Sequence, residues 1–196
     1  DRWLETVESQ LKPRTIASYK QTYRLYLKPY LGDTRLDRLT PAKIQQCYAA
    51  LQAKDLKRAP SKAHSVLHRA LELAVMWGWL PANPSDRVVK PQYKPERTQV
   101  WNEWELAAFL SGTKDHWLHP YWLLSIVTGC RPGELRALTW QDVDLAGQTI
   151  AVTKTLQRIN GKWTRTAPKT ASGARQIALP AEGVAALKSQ AVQQRT

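Results

Sequence analysis

Apolar residues recur at helical spacing through the first 88 residues. Trp3, Leu4, Val7 and Leu11 share one face of a helix predicted over residues 2–11, which Lys12-Pro13-Arg14 breaks. Thr15 is placed to cap a second helix that runs to about Pro29 and carries Ile16, Tyr19, Tyr23, Tyr26, Leu27 and Tyr30 on its inner side. Tyrosines in such a row bury their rings in a core and hold their hydroxyls at its rim. Thr40-Pro41 reads as an N-cap followed by the first residue of a third helix, to about Lys54, burying Ile44, Cys47, Tyr48 and Leu51. A fourth helix spans about Ser61–Trp77. Val66, Leu67, Ala70, Leu71, Ala74, Val75 and Trp77 form its apolar side, and Lys62, His64, Ser65, His68, Arg69 and Glu72 its polar side.

The pattern then changes twice. Asn83-Pro84 through Pro91 and Pro95 is polar, basic and broken by prolines, the composition of an extended linker. This divides the chain into a helical domain over 1–88, a linker over 89–100 and a second domain over 101–196. Asn102 caps a helix over Glu103–Leu110, and another spans about His116–Thr128. A further one runs from Pro132 to about Leu138. Beyond Trp140-Gln141-Asp142 the period shortens to two. Strands are expected over Thr149–Val152, over Lys162–Thr166 after an Asn160-Gly161 hairpin turn, and over Arg175–Leu179 after a turn at Lys169–Gly173. Pro180 opens a last helix. The fold class is therefore mainly α with a small three-stranded antiparallel sheet.

Charge narrows the function. The 196 residues hold 29 Lys/Arg against 16 Asp/Glu, a net charge of +13 and a pI near 10. Residues 1–100 carry 18 basic and 9 acidic side chains, and residues 101–196 carry 11 and 7. Such an excess calls for a polyanionic partner, double-stranded DNA first and an anionic membrane surface second. No apolar stretch approaches the ~20 residues of a membrane span, and Asp1-Arg2-Trp3-Leu4-Glu5 does not read as a signal peptide. Cys47 and Cys130 match no metal spacing and read as reduced thiols of a cytoplasmic protein. His64 and His68 lie one turn apart without a third ligand, so no metal or other cofactor is expected. The DNA-binding candidates cluster at the starts of the second and fourth helices, where basic side chains and helix N-termini suit phosphate contacts: Lys12, Arg14, Thr15, Lys20, Arg24, Lys57, Arg58, Lys62, His64 and Arg69.

A second anion site is expected at Thr128-Gly129-Cys130-Arg131-Pro132-Gly133-Glu134-Leu135. Gly129 stops one helix and Pro132 starts the next. Arg131 would then stand at the positive end of that second helix, with free backbone N–H groups beside its guanidinium and Glu134 one turn on to orient it.

Three segments in order, TGCRPGEL, LTWQDVDL and KTASGARQIALP, resemble the tyrosine recombinase (phage integrase) family, and the helical domain before them resembles that family's SAM-like core-binding domain. The resemblance implies a core-binding domain followed by the amino-terminal part of an α+β catalytic domain. It further implies that Arg131 clamps the scissile phosphate, Glu134 supports it, and Lys169 protonates the leaving 5′ oxygen. A tyrosine nucleophile forms a 3′-phosphotyrosyl link in the family, which works as a tetramer on DNA without metal or nucleotide. The seven tyrosines here are at 19, 23, 26, 30, 48, 93 and 121, all ahead of Arg131, and no histidine follows it. The chain therefore reads as a fragment ending before the His-x-x-Arg box and the nucleophile. It is expected to bind DNA without cleaving it, and to be a monomer off DNA. The alternatives are a non-enzymatic DNA-binding accessory or regulatory protein reusing the fold and, more remotely, an enzyme of the type IB topoisomerase kind.

Overall fold

Side-chain caps open the helices Pro41–Ala53 and Glu103–Gly112, and first-turn prolines open Pro13–Thr22, Ala59–Met76 and His119–Thr128. The computed structural model describes residues 2–167 and 173–194, and the chain divides into two compact units, Asp1–Arg97 and Thr98–Thr196.

In the first unit α1 spans Arg2–Glu8 and α2 spans Pro13–Thr22. Lys12 is the N-cap of α2 with Pro13 at its first position, so Thr15 lies inside the first turn and does not cap it. The helical stretch ends at Leu31, close to the expected Pro29, with Gly32 as its C-cap. Before that it passes through a π-helical turn, Tyr23–Leu27, into α3 (Lys28–Leu31). Pro29 accounts for the wider turn, because it has no N–H for the carbonyl of Leu25 and its ring would crowd that carbonyl in a regular helix. The Thr40 hydroxyl accepts the Lys43 N–H at 3.4 Å and caps α4 (Pro41–Ala53); α5 (Ala59–Met76) takes Pro60 into its first turn.

Leu27, Ile44, Cys47, Tyr48, Leu51, Ala63, Val66, Leu67 and Leu71 form the core between these helices. Trp3 stacks on Tyr19 at its edge, 5.4 Å between centroids. The residues expected as a free linker are partly held against this unit. Pro91 is buried, Val89 N–H donates to Gln45 Oε1 at 2.9 Å, and the Arg58 guanidinium lies 4.7 Å from the centre of the Tyr93 ring.

Tyr48 is fully buried, and its hydroxyl shares a 3.0 Å hydrogen bond with Nδ1 of His64. Burial pushes the phenol up, while burial and the neighbouring His68 and Lys90 pull the His64 imidazole down, so both groups are neutral near pH 7. Tyr48→Phe leaves His64 Nδ1 unpaired in the core and is expected to cost about 1–2 kcal/mol in urea unfolding; an unchanged midpoint would show the bond to be energetically idle.

In the second unit the Asn102 side chain and Glu105 form a reciprocal capping box at the start of α6 (Glu103–Gly112). Next come α7 (His119–Thr128), the single turn α8 (Pro132–Leu135), β1 (Val143–Asp144), β2 (Thr149–Val152), β3 (Thr155–Ile159), β4 (Lys162–Thr166), β5 (Arg175–Ala178) and α9 (Ala181–Gln193). A three-stranded antiparallel sheet is present, in the order β1-β2-β5, with Ile150 opposite Ile177 and Val152 opposite Arg175. Its membership differs from the sequence expectation. Lys162–Thr166 is not in it but pairs with β3 in a separate hairpin, closed by Asn160 and Gly161 at φ 49° and 82°. Leu124, Cys130, Leu135, Ile150, Val152, Leu179, Val184 and Leu187 form the core that supports α8.

Candidate functional site

Gly129 ends α7 in the left-handed conformation, φ 60°, donating its N–H to Ser125 O at 3.1 Å. This reverses the chain and puts Arg131 at the start of α8. Gly133 is then required for close packing: a Cβ there would lie 2.5 Å from Thr155 Oγ1 and 3.1 Å from Leu156 O, so β3 seats against α8 only because position 133 has no side chain.

The centre of the site is Glu134, whose side chain is 5 % exposed. Its carboxylate accepts four hydrogen bonds among the described residues. Arg131 supplies its backbone N–H to Oε2 at 3.0 Å and Nη1 to Oε1 at 2.9 Å; Arg175 supplies Nη2 to Oε2 at 2.9 Å and Nη1 to Oε1 at 3.3 Å. These bonds, those from Arg175 first, hold the Glu134 carboxyl down at about 2 against the opposing effect of burial. The Arg131 side chain is 76 % exposed and that of Arg175 31 %. One guanidinium is thus presented to solvent on a fixed carboxylate while the other is tucked beneath it.

Part of the expected electrostatics is corrected. The helix after Arg131 is one turn long rather than reaching Leu138, so its dipole is small. The Arg131 N–H is taken by Glu134 and does not face an anion. Attraction for an anion here comes from the guanidinium. The turn behind it is firm, since Asp142 Oδ2 accepts both the N–H and the hydroxyl of Thr139, at 2.9 and 2.7 Å. Lys169 lies outside the described residues.

Arg175 was not among the residues picked out from sequence. Its signal was strand register: it alternates with Ile177 onto the inward side of β5, and a charge on a semi-buried face needs a partner.

In the first unit the basic candidates divide. Lys12 and Arg14 stand at the start of α2, and Arg24, Lys62 and Arg69 are exposed along the helices. Lys20 pairs with Glu8 at 2.7 Å, Lys57 with Glu96 at 3.7 Å, and Arg58 covers Tyr93. Thr15 is half-buried. His64 is buried and so is not placed to contact a phosphate, while Lys62, Ser65, Arg69 and Glu72 of the same predicted polar face are exposed. The histidine is 6 % exposed, uncharged, and bonded to Tyr48 in the core. His68 instead sits between Asp86, 2.9 Å from Nε2, and Glu72, 3.5 Å from Nδ1.

Residues 1–52 match the family model described as the phage integrase N-terminal SAM-like domain. A tyrosine recombinase XerC-like protein of Caldanaerobacter subterraneus is 27 % identical over 98 % of this chain and 54 % of its own length. The ICEBs1 integrase of Bacillus subtilis is 23 % identical over 90 % of the chain and 49 % of its own. The chain is similar to tyrosine recombinases, or phage integrases, over nearly its whole length. It spans about half the length of these curated relatives.

Among solved structures, the Tn1549 transposon integrase in complex with transposon right end DNA superposes on 95 % of the chain and 62 % of its own, with a TM-score of 0.83 at 21 % identity. A lambda integrase tetramer bound to a Holliday junction covers 85 % of the chain and 48 % of its own, with a TM-score of 0.67 at 19 % identity. These likenesses establish the integrase fold: a SAM-like helical unit followed by an α+β unit with small antiparallel sheets.

Proposed function

We propose that this chain belongs to a site-specific DNA recombinase that cuts and rejoins strands through a 3′-phosphotyrosyl intermediate. Residues 1–88 grip duplex DNA, 89–100 link, and 101–196 supply part of a catalytic domain. The single observation that supports this most is Arg131, an exposed guanidinium fixed from below by a buried carboxylate, in a chain related to recombinases along nearly its whole length.

Phosphoryl transfer asks for charge stabilisation on the non-bridging oxygens and a proton for the leaving oxygen. Arg131 does the first: a planar guanidinium already oriented by Glu134 meets a phosphate with little entropy left to lose. Lys169 does the second, passing a proton to the 5′ oxygen as the bond from phosphorus to that oxygen breaks. The attacking oxygen is a tyrosine's, and none of the seven tyrosines here is assigned that role, since all precede Arg131. The 196-residue polypeptide is therefore a DNA-binding body without strand cleavage of its own, working in the cytoplasm on double-stranded DNA.

The test uses a nicked duplex that traps covalent adducts. In a polypeptide that carries this chain together with its nucleophile, Arg131→Ala is expected to lower adduct formation by roughly 10²–10³-fold and to leave duplex affinity within about threefold, because one phosphate contact among many is lost. Binding lost in step with cleavage would make Arg131 structural. An adduct formed by the 196 residues alone would overturn the assignment of the nucleophile.

A further inference from the structure

Glu134 poses a charge problem for the site it supports. A carboxylate bonded to Arg131 alone would form a neutral pair, and a neutral pair has little hold on a phosphate. Arg175 changes the balance. It takes two of the four bonds on the carboxylate, at 2.9 and 3.3 Å, and it lies under the carboxylate from the β5 side rather than in the solvent-facing position of Arg131. The three groups together carry one net positive charge, and the only one of them largely open to an anion is Arg131. Arg175 is itself fixed, since Nη1 also donates to Gly173 O at 3.3 Å and Nη2 lies 4.0 Å from Cys130 Sγ, the residue before Arg131. Its backbone is locked in the sheet opposite Val152. Among the described residues, the charged and titratable groups around the carboxylate are thus Arg131 and Arg175, with the Cys130 thiol beside the latter.

We infer that Arg175 is a positioning residue of the anion site: its guanidinium neutralises the Glu134 carboxylate from the sheet side, so that Arg131 is held by that carboxylate yet keeps a net positive charge for a phosphate. The inference rests on the reading of Arg131 as a phosphate clamp. It concerns a residue that touches no substrate and acts through Glu134.

The probe is inorganic phosphate, titrated against the whole 196-residue chain while the Arg131 side-chain Nε–Hε resonance is followed by NMR. The ionisation of Glu134 is read in parallel from its carboxyl carbon. Removing one unit charge from beside a bound anion at a protein surface costs on the order of tenfold in affinity. Arg175→Gln is accordingly expected to weaken phosphate at Arg131 about tenfold and to raise the Glu134 midpoint from about 2 toward the ordinary 4.5. Arg175→Lys gives up the two-pronged grip on Glu134 but keeps the charge, and is expected to stay within about threefold of the parent protein, because the charge beside the anion is retained.

A Gln variant that melts earlier but binds phosphate as before would overturn the inference and leave Arg175 a purely structural anchor. Should the Gln variant not fold, the Lys variant decides alone, since a tenfold loss there would show that charge is not what Arg175 supplies. If the parent protein shows no phosphate effect at Arg131, the clamp reading fails. The Glu134 midpoint then still judges Arg175, because a midpoint that stays near 2 in Arg175→Gln overturns its role.

Discussion

Glu134→Gln is expected to destabilise the second unit by about 3 kcal/mol at pH 7, and the deficit should disappear in acid. The carboxylate is buried and accepts from Arg175 and from both the backbone and the side chain of Arg131. Its folded-state pKa is about 2, against an ordinary value of 4.5. A shift of that size and direction amounts to about 3 kcal/mol of linkage. A depressed carboxyl pKa stabilises the fold fully above the unfolded value, and the contribution drains away as pH falls from about 4.5 through about 2. An amide cannot titrate and leaves at least one arginine facing an N–H₂ group, so the variant lacks this contribution at every pH. Urea unfolding at pH 7, 4, 3 and 2 checks the expectation. It should be read from Ile150 and Ile177 methyl signals, because the two units need not unfold together. A deficit that stays constant down to pH 2 would mean that shape, and not charge, is what the position requires.

The chemistry of this carboxylate was legible in TGCRPGEL because its signals are local. Gly129, Pro132 and the three-residue spacing of Arg131 and Glu134 each act through backbone geometry within one turn. What sequence hid was long-range. Arg175 arrives from 41 residues away, and only strand register brings it under Glu134. The β3 strand escaped notice because its apolar residues, Leu156 and Ile159, are three apart, which imitates a helix rather than a strand. Lys162–Thr166 was correctly read as a strand but given the wrong neighbours, since period two says nothing of pairing partners. In the helical unit apolar spacing located the long helices, but of the two expected caps only Thr40 holds, Thr15 lying inside the first turn of α2. His64 was misjudged for a different reason. A histidine one turn from another on a basic helix looks solvated, and the tyrosine that allows its burial lies on a different helix.

That misjudgement sharpens the expected behaviour on DNA. Duplex affinity of the 196-residue chain should fall roughly a thousandfold between 50 and 200 mM salt, which corresponds to about five to six phosphate contacts through counterion release. The first unit supplies the larger share of the excess charge, and its exposed Lys62, Arg24 and Arg69, unlike Lys20 and Lys57, form no ion pair among the described residues. Each of the three, changed to Ala, should reduce the log–log salt slope by about one and weaken all duplexes alike, since a phosphate contact carries no sequence information. Lys20→Ala should do less, because a lysine already paired with Glu8 at 2.7 Å must give up that partner to reach a phosphate. His64→Gln separates the two kinds of residue. It should lower the melting temperature through the lost Tyr48 bond and leave the salt slope where it was. A slope that drops by one in His64→Gln would return this histidine to the DNA-binding face, and a slope unmoved by Lys62, Arg24 and Arg69 together would place the grip elsewhere in the chain.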